Sequence, residues 1–352
     1  MRFLAIEHEL PSLQVTNAEV LERVRAASAR HLPPADLDTL DALTRSTFAS
    51  TGTEVRYHRA AGESAAELAA SAGRKALATS GLDPDDVDLV LYVGIGRGVL
   101  EPASANIYQD MLGLRRATAF DILDACASWL RGLQLARLYL ETGTYRNVMI
   151  INAEFLGREC HRYELTSLAE FAHWHPCVTI GEAATATILT ASGAGDAPDS
   201  FEADFRTWGA KRDLCFVPLP NFEGYFGMPV APELDVQPMQ FVSFGLRLME
   251  FGASRLIEHY ASSPSFRDYS PDLVFGHAAS DGMSRYVADQ CGLDREKVQF
   301  YHRLYANTVS ASVPLGMSHA AQNGLLKNGD DILIMSASAG VTTALVKLAY
   351  QN

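Results

Sequence analysis

Three polar residues stand where chemistry is easiest to place. Cys126 lies in Phe120-Asp-Ile-Leu-Asp-Ala-Cys126-Ala-Ser-Trp129, just ahead of an apolar helical pattern (Leu130, Leu133, Ala136, Leu140) that stops at Gly143. Gly132 is its one weak spot. A thiol at a helix start meets unpaired N–H groups and the positive dipole end, which stabilise a thiolate. The competing reading is a small core hydrophobe, the commonest fate of a free cysteine. His277 closes the short strand pattern Tyr269-Ser-Pro-Asp-Leu-Val-Phe-Gly-His277, and Asn307 opens the helical pattern that runs through Gln322. Alone, His277 is a hydrogen-bonded core histidine and Asn307 an N-cap. A thiol nucleophile with a histidine and a neutral hydrogen-bond donor is a recurring arrangement for acyl transfer.

The elements that must hold these residues are those of an α/β protein. The 352 residues are 48% hydrophobic and 20% charged, an ordinary globular composition long enough for two domains or one double core. No run of 18 apolar residues is present, and Met1–Leu10 lacks the pattern of a signal peptide. A formal charge of −13 argues against nucleic acid and against an anionic lipid surface as partners. Five scattered cysteines (126, 160, 177, 215, 291) do not form a disulfide framework and fit a reducing cytoplasm.

Strand patterns are expected at 1–10, 87–93, 147–154, 178–190, 298–301, 331–336 and 341–349. Helices are expected at 17–30 (Asn17 as N-cap), 33–52, 63–79, 103–112, 243–262 and 284–290. The order helix, Pro-Asp turn, strand, helix, Gly, strand, strand occurs twice. An internal duplication explains this most simply, with a first half at 1–195 and a second at 196–352. The alternation implies largely parallel sheets, with functional residues at strand ends and helix starts. Cys126 and Asn307 then open matching helices.

Taken together, the segments resemble the thiolase superfamily, and within it a ketoacyl synthase III-like condensing enzyme. Asp124-Ala-Cys126-Ala is similar to that family's nucleophile segment, and Gly276-His277-Ala-Ala-Ser280 to its histidine segment. Asn307-Thr-Val-Ser-Ala-Ser-Val-Pro314 is similar to its asparagine segment, and Ser336-Ala-Ser-Ala-Gly340 to its terminal Gly-rich turn. Val178–Leu189 matches a further strand entry, with Glu182 for Asp. The order is the family's over the whole length.

The resemblance implies a duplicated five-layered αβαβα core with a pseudo-twofold. It implies that Cys126 takes the acyl group from a thioester and that His277 and Asn307 stabilise the enolate of a second thioester in a Claisen condensation. The N–H groups of Cys126 and Gly340 would form the oxyanion hole. No bound cofactor and no metal are implied; acyl-CoA or an acyl carrier protein thioester is the substrate, in a fatty-acid-derived or specialised pathway. A homodimer through the first half is implied as well.

Glu101, in Leu100-Glu-Pro-Ala-Ser104, resembles a stretch in enzymes of this kind that join two acyl chains. There the carboxylate acts as base across the dimer. The alternative is a charge placed for the helix dipole of 103–112.

Other features depart from the family. Its adenine-binding Trp is missing from 43–56, where only Arg45 and Arg56 offer charge for a phosphate, and 243–262 carries few bases (Arg247, Arg255). CoA and carrier protein therefore both stay open as donors. A same-fold acyltransferase to a hydroxyl or amine is the alternative activity, and retention of His277 and Asn307 favours carbon–carbon condensation. Retention of Cys126 argues against a non-catalytic partner subunit. Cys160, His161, His173, His175 and Cys177 have no standard zinc spacing; the excursion at 155–177 reads as a loop over the acyl tunnel or the dimer seam. Trp129, Trp174 and Trp208 are read as core residues before pocket residues.

Overall fold

The computed structural model describes residues 1–352 except 158–161, 194–199, 230, 232, 233 and 278. The first half builds a sheet from β1 (Arg2–Glu9), β4 (Leu89–Val93), β5 (Thr118–Ile122), β6 (Asn147–Glu154) and β7 (Ala183–Thr190), in the order β1-β7-β6-β4-β5. β2 (Leu13–Thr16) and β3 (Val55–His58) form a separate antiparallel pair. The second half builds a sheet from β8 (Glu202–Thr207), β11 (Leu273–Gly276), β12 (Asp331–Ser338) and β13 (Thr342–Ala349), in the order β11-β12-β13-β8. β9 (Cys215–Phe216) pairs with β10 (Val242–Ser243).

Alternation along the strands explains the layering. Leu89, Leu91 and Val93 of β4 face inward onto α5 (Ser128–Glu141). Val90 and Tyr92 face outward onto α3 (Ala65–Ser80) and α4 (Ser104–Met111). In the second sheet Ile332 and Ile334 face inward. Leu333 and Met335 meet the outer helices, α6 (Gly245–Ala261) and α7 (Asp281–Gln290). Between the sheets α5 and α8 (Ser312–Gln322) share one core cluster. Period-2 burial on both faces of both sheets therefore stacks five layers, α/β/α/β/α: the thiolase fold. α1 (Asn17–Ser28) and α2 (Pro34–Thr51) form a satellite cluster over the first half. Gly132, the weak spot in the α5 pattern, is buried where an added Cβ would lie 3.1 Å from Val93 Cγ1, so close helix–sheet approach demands it.

Several expectations are corrected. The sheets are mixed: β4 pairs parallel with β5 and β6, but β7 runs antiparallel to both β6 and β1. In the second sheet only β11–β12 is parallel. Continuous burial on both faces gives antiparallel strands the same all-apolar look as parallel ones. α1 is capped by Thr16, whose side chain accepts from Glu19 N while the Glu19 carboxylate receives Thr16 N; Asn17 is its first residue. Residues 298–301 make one bridge, Val298 to Val274, before the chain turns into the short helix His302–Tyr305. β8 sits in a stretch whose alternation is too polar to signal a strand.

The duplication extends to backbone detail. A 3-10 turn, Ala125–Ala127, leads into α5, and a 3-10 turn, Val309–Ala311, leads into α8. Each turn begins on a side-chain-bearing residue with positive φ, Ala125 at 44° and Val309 at 54°. Strain of order 1–3 kcal/mol at such positions collects at functional sites. The residue matching Cys126 is therefore Ser310. Asn307 lies three residues ahead of it, in the entry to the turn rather than at the helix start.

Candidate active site

A cavity of about 220 Å³ opens between the two halves, and Cys126, His277 and Asn307 all lie in its wall. The three come from a turn before α5, the end of β11 and the entry to the α8 turn. The fold thus gathers residues spread over 181 positions (307 − 126) of the sequence.

Cys126 is half-buried on a turn pinned from the other half. Ser338, the last residue of β12, accepts from Ala127 N (3.2 Å) and donates to Asp124 O (3.1 Å). Arg131 Nη2 holds the Asp124 carboxylate at 3.0 Å. The thiol environment corrects the helix-start expectation. Burial pushes the Cys126 thiol well above its ordinary value, helped by Cys215 and Glu154. The backbone N–H groups of Ala339 and of Cys126 itself pull the other way and are outweighed. Ala339 lines the cavity, and its neighbour Gly340 is not among the lining residues.

His277 is pushed down to about 4 by burial and by His302, against a hydrogen bond with the Val309 backbone. It is a neutral imidazole at any ordinary pH, and its Nδ1 is buried without a partner. Asn307 is fixed through its backbone, N–H to Thr179 O and C=O from Gly181 N, both 2.9 Å. Its Oδ1 accepts from Val309 N at 2.9 Å. The carbonyl end is thereby used, and Asn307 lines the cavity. A neutral imidazole and a carboxamide therefore share a cavity with a thiol.

Glu101 lies outside this cavity and is exposed beside Leu100, which is 76% exposed. Its competing role is taken by another residue. Asp121 of β5 accepts from Ser104 N (2.8 Å) and Ala105 N (2.9 Å), satisfying the start of α4. Sequence reading missed two features. Glu154, 2% exposed at the end of β6, is the one acidic residue in the cavity wall among the described residues; it looks like an ordinary strand terminus. Lys211 joins Arg255 around Phe251 of α6, each 5.6 Å from the ring, adding charge near the cavity helix.

Arg56 does not serve a phosphate. It is fully buried, stacked 5.1 Å from the Phe48 ring, and donates to Asn17 Oδ1 at 2.8 Å, while its Nε and Nη1 have no partner. Burial lowers it to about 10. A buried cation so poorly paired costs more than it returns. Arg56→Met should therefore stabilise the chain by about 1 kcal/mol or more, read as a raised Tm in thermal denaturation; an unchanged or lower Tm would contradict this. Arg45 is exposed.

Of the excursion, Leu156, His175 and Pro176 line the cavity, while Cys160 and His161 lie outside the described residues. Among the described residues no three of His, Cys, Asp and Glu converge as metal ligands. Trp129 is core, donating to Thr187 Oγ1 at 3.1 Å; Trp174 is buried, and none of the three tryptophans lines the cavity.

A duplicated αβαβα core with a thiol, an imidazole and a carboxamide in one cavity defines a thiolase-fold condensing enzyme. Residues 120–209 match the family model of 3-oxoacyl-(acyl-carrier-protein) synthase III, and residues 266–350 match that of its C-terminal part. A beta-ketoacyl-(acyl-carrier-protein) synthase III from Clostridium perfringens is 30% identical over 305 residues, 85% of this chain and 89% of that protein. The fold is shared with 3-oxoacyl-(acyl-carrier-protein) synthase III from Aquifex aeolicus (TM-score 0.80, 23% identity, 99% of each chain). It is also shared with OleA from Xanthomonas campestris, solved with lauric acid and lauroyl-CoA (TM-score 0.82, 20% identity, 99% and 98% of the chains). The chain belongs to the 3-oxoacyl-(acyl-carrier-protein) synthase III family. It is a condensing acyltransferase: an acyl group passes from a thioester to an enzyme cysteine and is condensed with a second thioester.

Proposed function

We propose that Cys126 is the acyl-bearing cysteine and that His277 and Asn307 are the donors for the second thioester. What carries this reading is the single cavity that contains all three. The Cys126 sulfur attacks the carbonyl carbon of the first thioester. The tetrahedral oxyanion rests on the N–H of Cys126 and on the Ala339–Gly340 backbone. The donor thiolate leaves and takes up the proton. The second thioester then loses CO₂ or an α-proton. Its enolate oxygen is held by the His277 ring N–H and Asn307 Nδ2, and its α-carbon attacks the acyl carbonyl. Cys126 leaves as a thiolate and a 3-oxoacyl thioester is released. Two donors oriented for a carbanion favour carbon as the acceptor over a hydroxyl or amine.

The acyl chain lies in the apolar arm of the cavity between α6 and α7, walled by Leu248, Leu256, Met283, Val287 and Leu293. Val287→Trp should reduce Cys126 acylation by long acyl-CoAs about tenfold or more while short ones react as before. Intact-mass time courses over an acyl-CoA length series check this; equal loss at all lengths would place the chain elsewhere.

The donor is acyl-CoA or an acyl carrier protein. Lys211, Arg247 and Arg255 supply positive charge for the phosphates of either on an otherwise acidic molecule. The protein works as a homodimer in the cytoplasm, with exposed Leu100, Leu123 and Leu138 of the first half in the subunit contact. No helix among the described residues is long and apolar enough to cross a membrane. Across that contact Glu101 reaches the second copy's cavity as base when the acceptor has no carboxyl group to lose. Glu101→Gln should then abolish condensation of two acyl-CoAs and spare condensation with malonyl-CoA. Product analysis with each acceptor checks this, and equal loss with both would remove Glu101 from the chemistry.

A further inference from the structure

Glu154 lines the cavity, and no step above uses it. Its Oε1 accepts from Ile95 N at 3.3 Å and from the Ser310 hydroxyl, and its Oε2 accepts from Gly96 N at 3.0 Å. The Ser310 oxygen accepts in turn from Asn152 Nδ2 (2.8 Å), and Asn152 Oδ1 accepts from Thr185 Oγ1 (3.1 Å). The donors all run one way, so the chain of bonds ends on a carboxyl group that accepts through both oxygens. Burial raises this group above its ordinary value, while the bonds from Ser310, Gly96 and Ile95 pull the other way. An amide would set an NH₂ against a donor on one side. The loop is shaped around this group: Gly94 has φ +118°, and a Cβ there would lie 2.4 Å from Glu154 Oε1 and 2.8 Å from Ser310 Oγ.

Ser310 is the second half's counterpart of Cys126. Its neighbour Val309 donates its N–H to Asn307 and shares a backbone hydrogen bond with His277. A carboxylate of the first half thus grips the turn that orients both donors of the second half. We propose that Glu154 is a positioning residue: it holds the Val309–Ala311 turn so that Asn307 and His277 aim at the second thioester. This rests on the roles given to Cys126, His277 and Asn307 above.

The test compares the native chain, Glu154→Gln, Glu154→Asp and Ser310→Ala. The readouts are the rate of Cys126 alkylation by iodoacetamide, followed by mass, single-turnover acylation by an acyl-CoA, and steady-state condensation. In Glu154→Gln condensation should drop about tenfold further than acylation, with alkylation of Cys126 close to native. Ser310→Ala cuts the link to the turn, so condensation should again fall further than acylation. Glu154→Asp keeps a carboxyl group and should recover part of the loss. Equal loss of both half-reactions in a folded Glu154→Gln chain would overturn the proposal. If Glu154→Gln does not fold, unimpaired condensation in Ser310→Ala would overturn it. If no acyl-CoA or acyl carrier protein thioester acylates Cys126 while alkylation shows it accessible, the functional reading fails and the proposal with it.

Discussion

Cys126→Ala should lose condensation by at least ~10⁴-fold, because no other side chain in the cavity replaces a soft nucleophile that is also a good leaving group. Cys215 shares the wall, but it lies on the short strand β9 and not on the pinned turn before α5. Cys126→Ser separates geometry from chemistry. The hydroxyl would occupy the same turn, held by Ser338 and Asp124. It would remain a much weaker nucleophile, since the surroundings that already push the thiol up disfavour an alkoxide still more. Serine should therefore bind acyl-CoA with near-native affinity and turn over no better than alanine to within about tenfold. Turnover and acyl-CoA binding by calorimetry check this pair; a Cys126→Ala chain that still condenses would end the account.

His277→Ala should reduce condensation about 10²–10³-fold while acylation of Cys126 stays within a few-fold of native. The ring donates to an oxygen that becomes negative only in the second half-reaction, so the loss belongs to kcat and not to loading. Asn307→Ala should lose a similar factor. The double variant should lose less than the product of the two, because both donate to one oxygen. Burial holds His277 near 4, so it is neutral through the working range, and condensation should show no step from its titration between about pH 5 and 8. A rate that falls as pH rises through 6–7 would mean that an imidazolium is needed and would contradict this role. Stability carries the matching signature. Between its unfolded value of 6.5 and about 4 the unfolded state binds the proton that the folded state refuses. Stability contributed by neutral His277 is therefore lost as pH falls through that window and is constant above it. His277→Ala should flatten that part of the profile.

How much of this was legible in the sequence differs by feature. The duplicated order of elements was readable because apolar periodicity survives without residue identity: α5 and α8 both show it, and both end at a glycine. Strand direction was not readable, because β6 and β7 are buried on both faces and carry no polar phase to distinguish parallel from antiparallel. The co-location of Cys126, His277 and Asn307 followed from family order rather than from spacing. The registry error at Asn307 came from taking the helix start from periodicity when a 3-10 turn with a positive-φ residue intervenes. The thiol was misjudged because a sequence shows a helix start but not the burial that outweighs it. Glu154 was invisible for a similar reason: its three donors, from Ile95, Gly96 and Ser310, come from loops 59, 58 and 156 residues away.

The most direct measurement is the intact mass of the native chain after incubation with acyl-CoAs of graded length and with acyl carrier protein thioesters, followed by peptide mapping. The account predicts one acyl mass addition, mapped to Cys126, that disappears when the second thioester is supplied and is absent from Cys126→Ala. An acyl group that maps to any other residue, or that persists in Cys126→Ala, would contradict it.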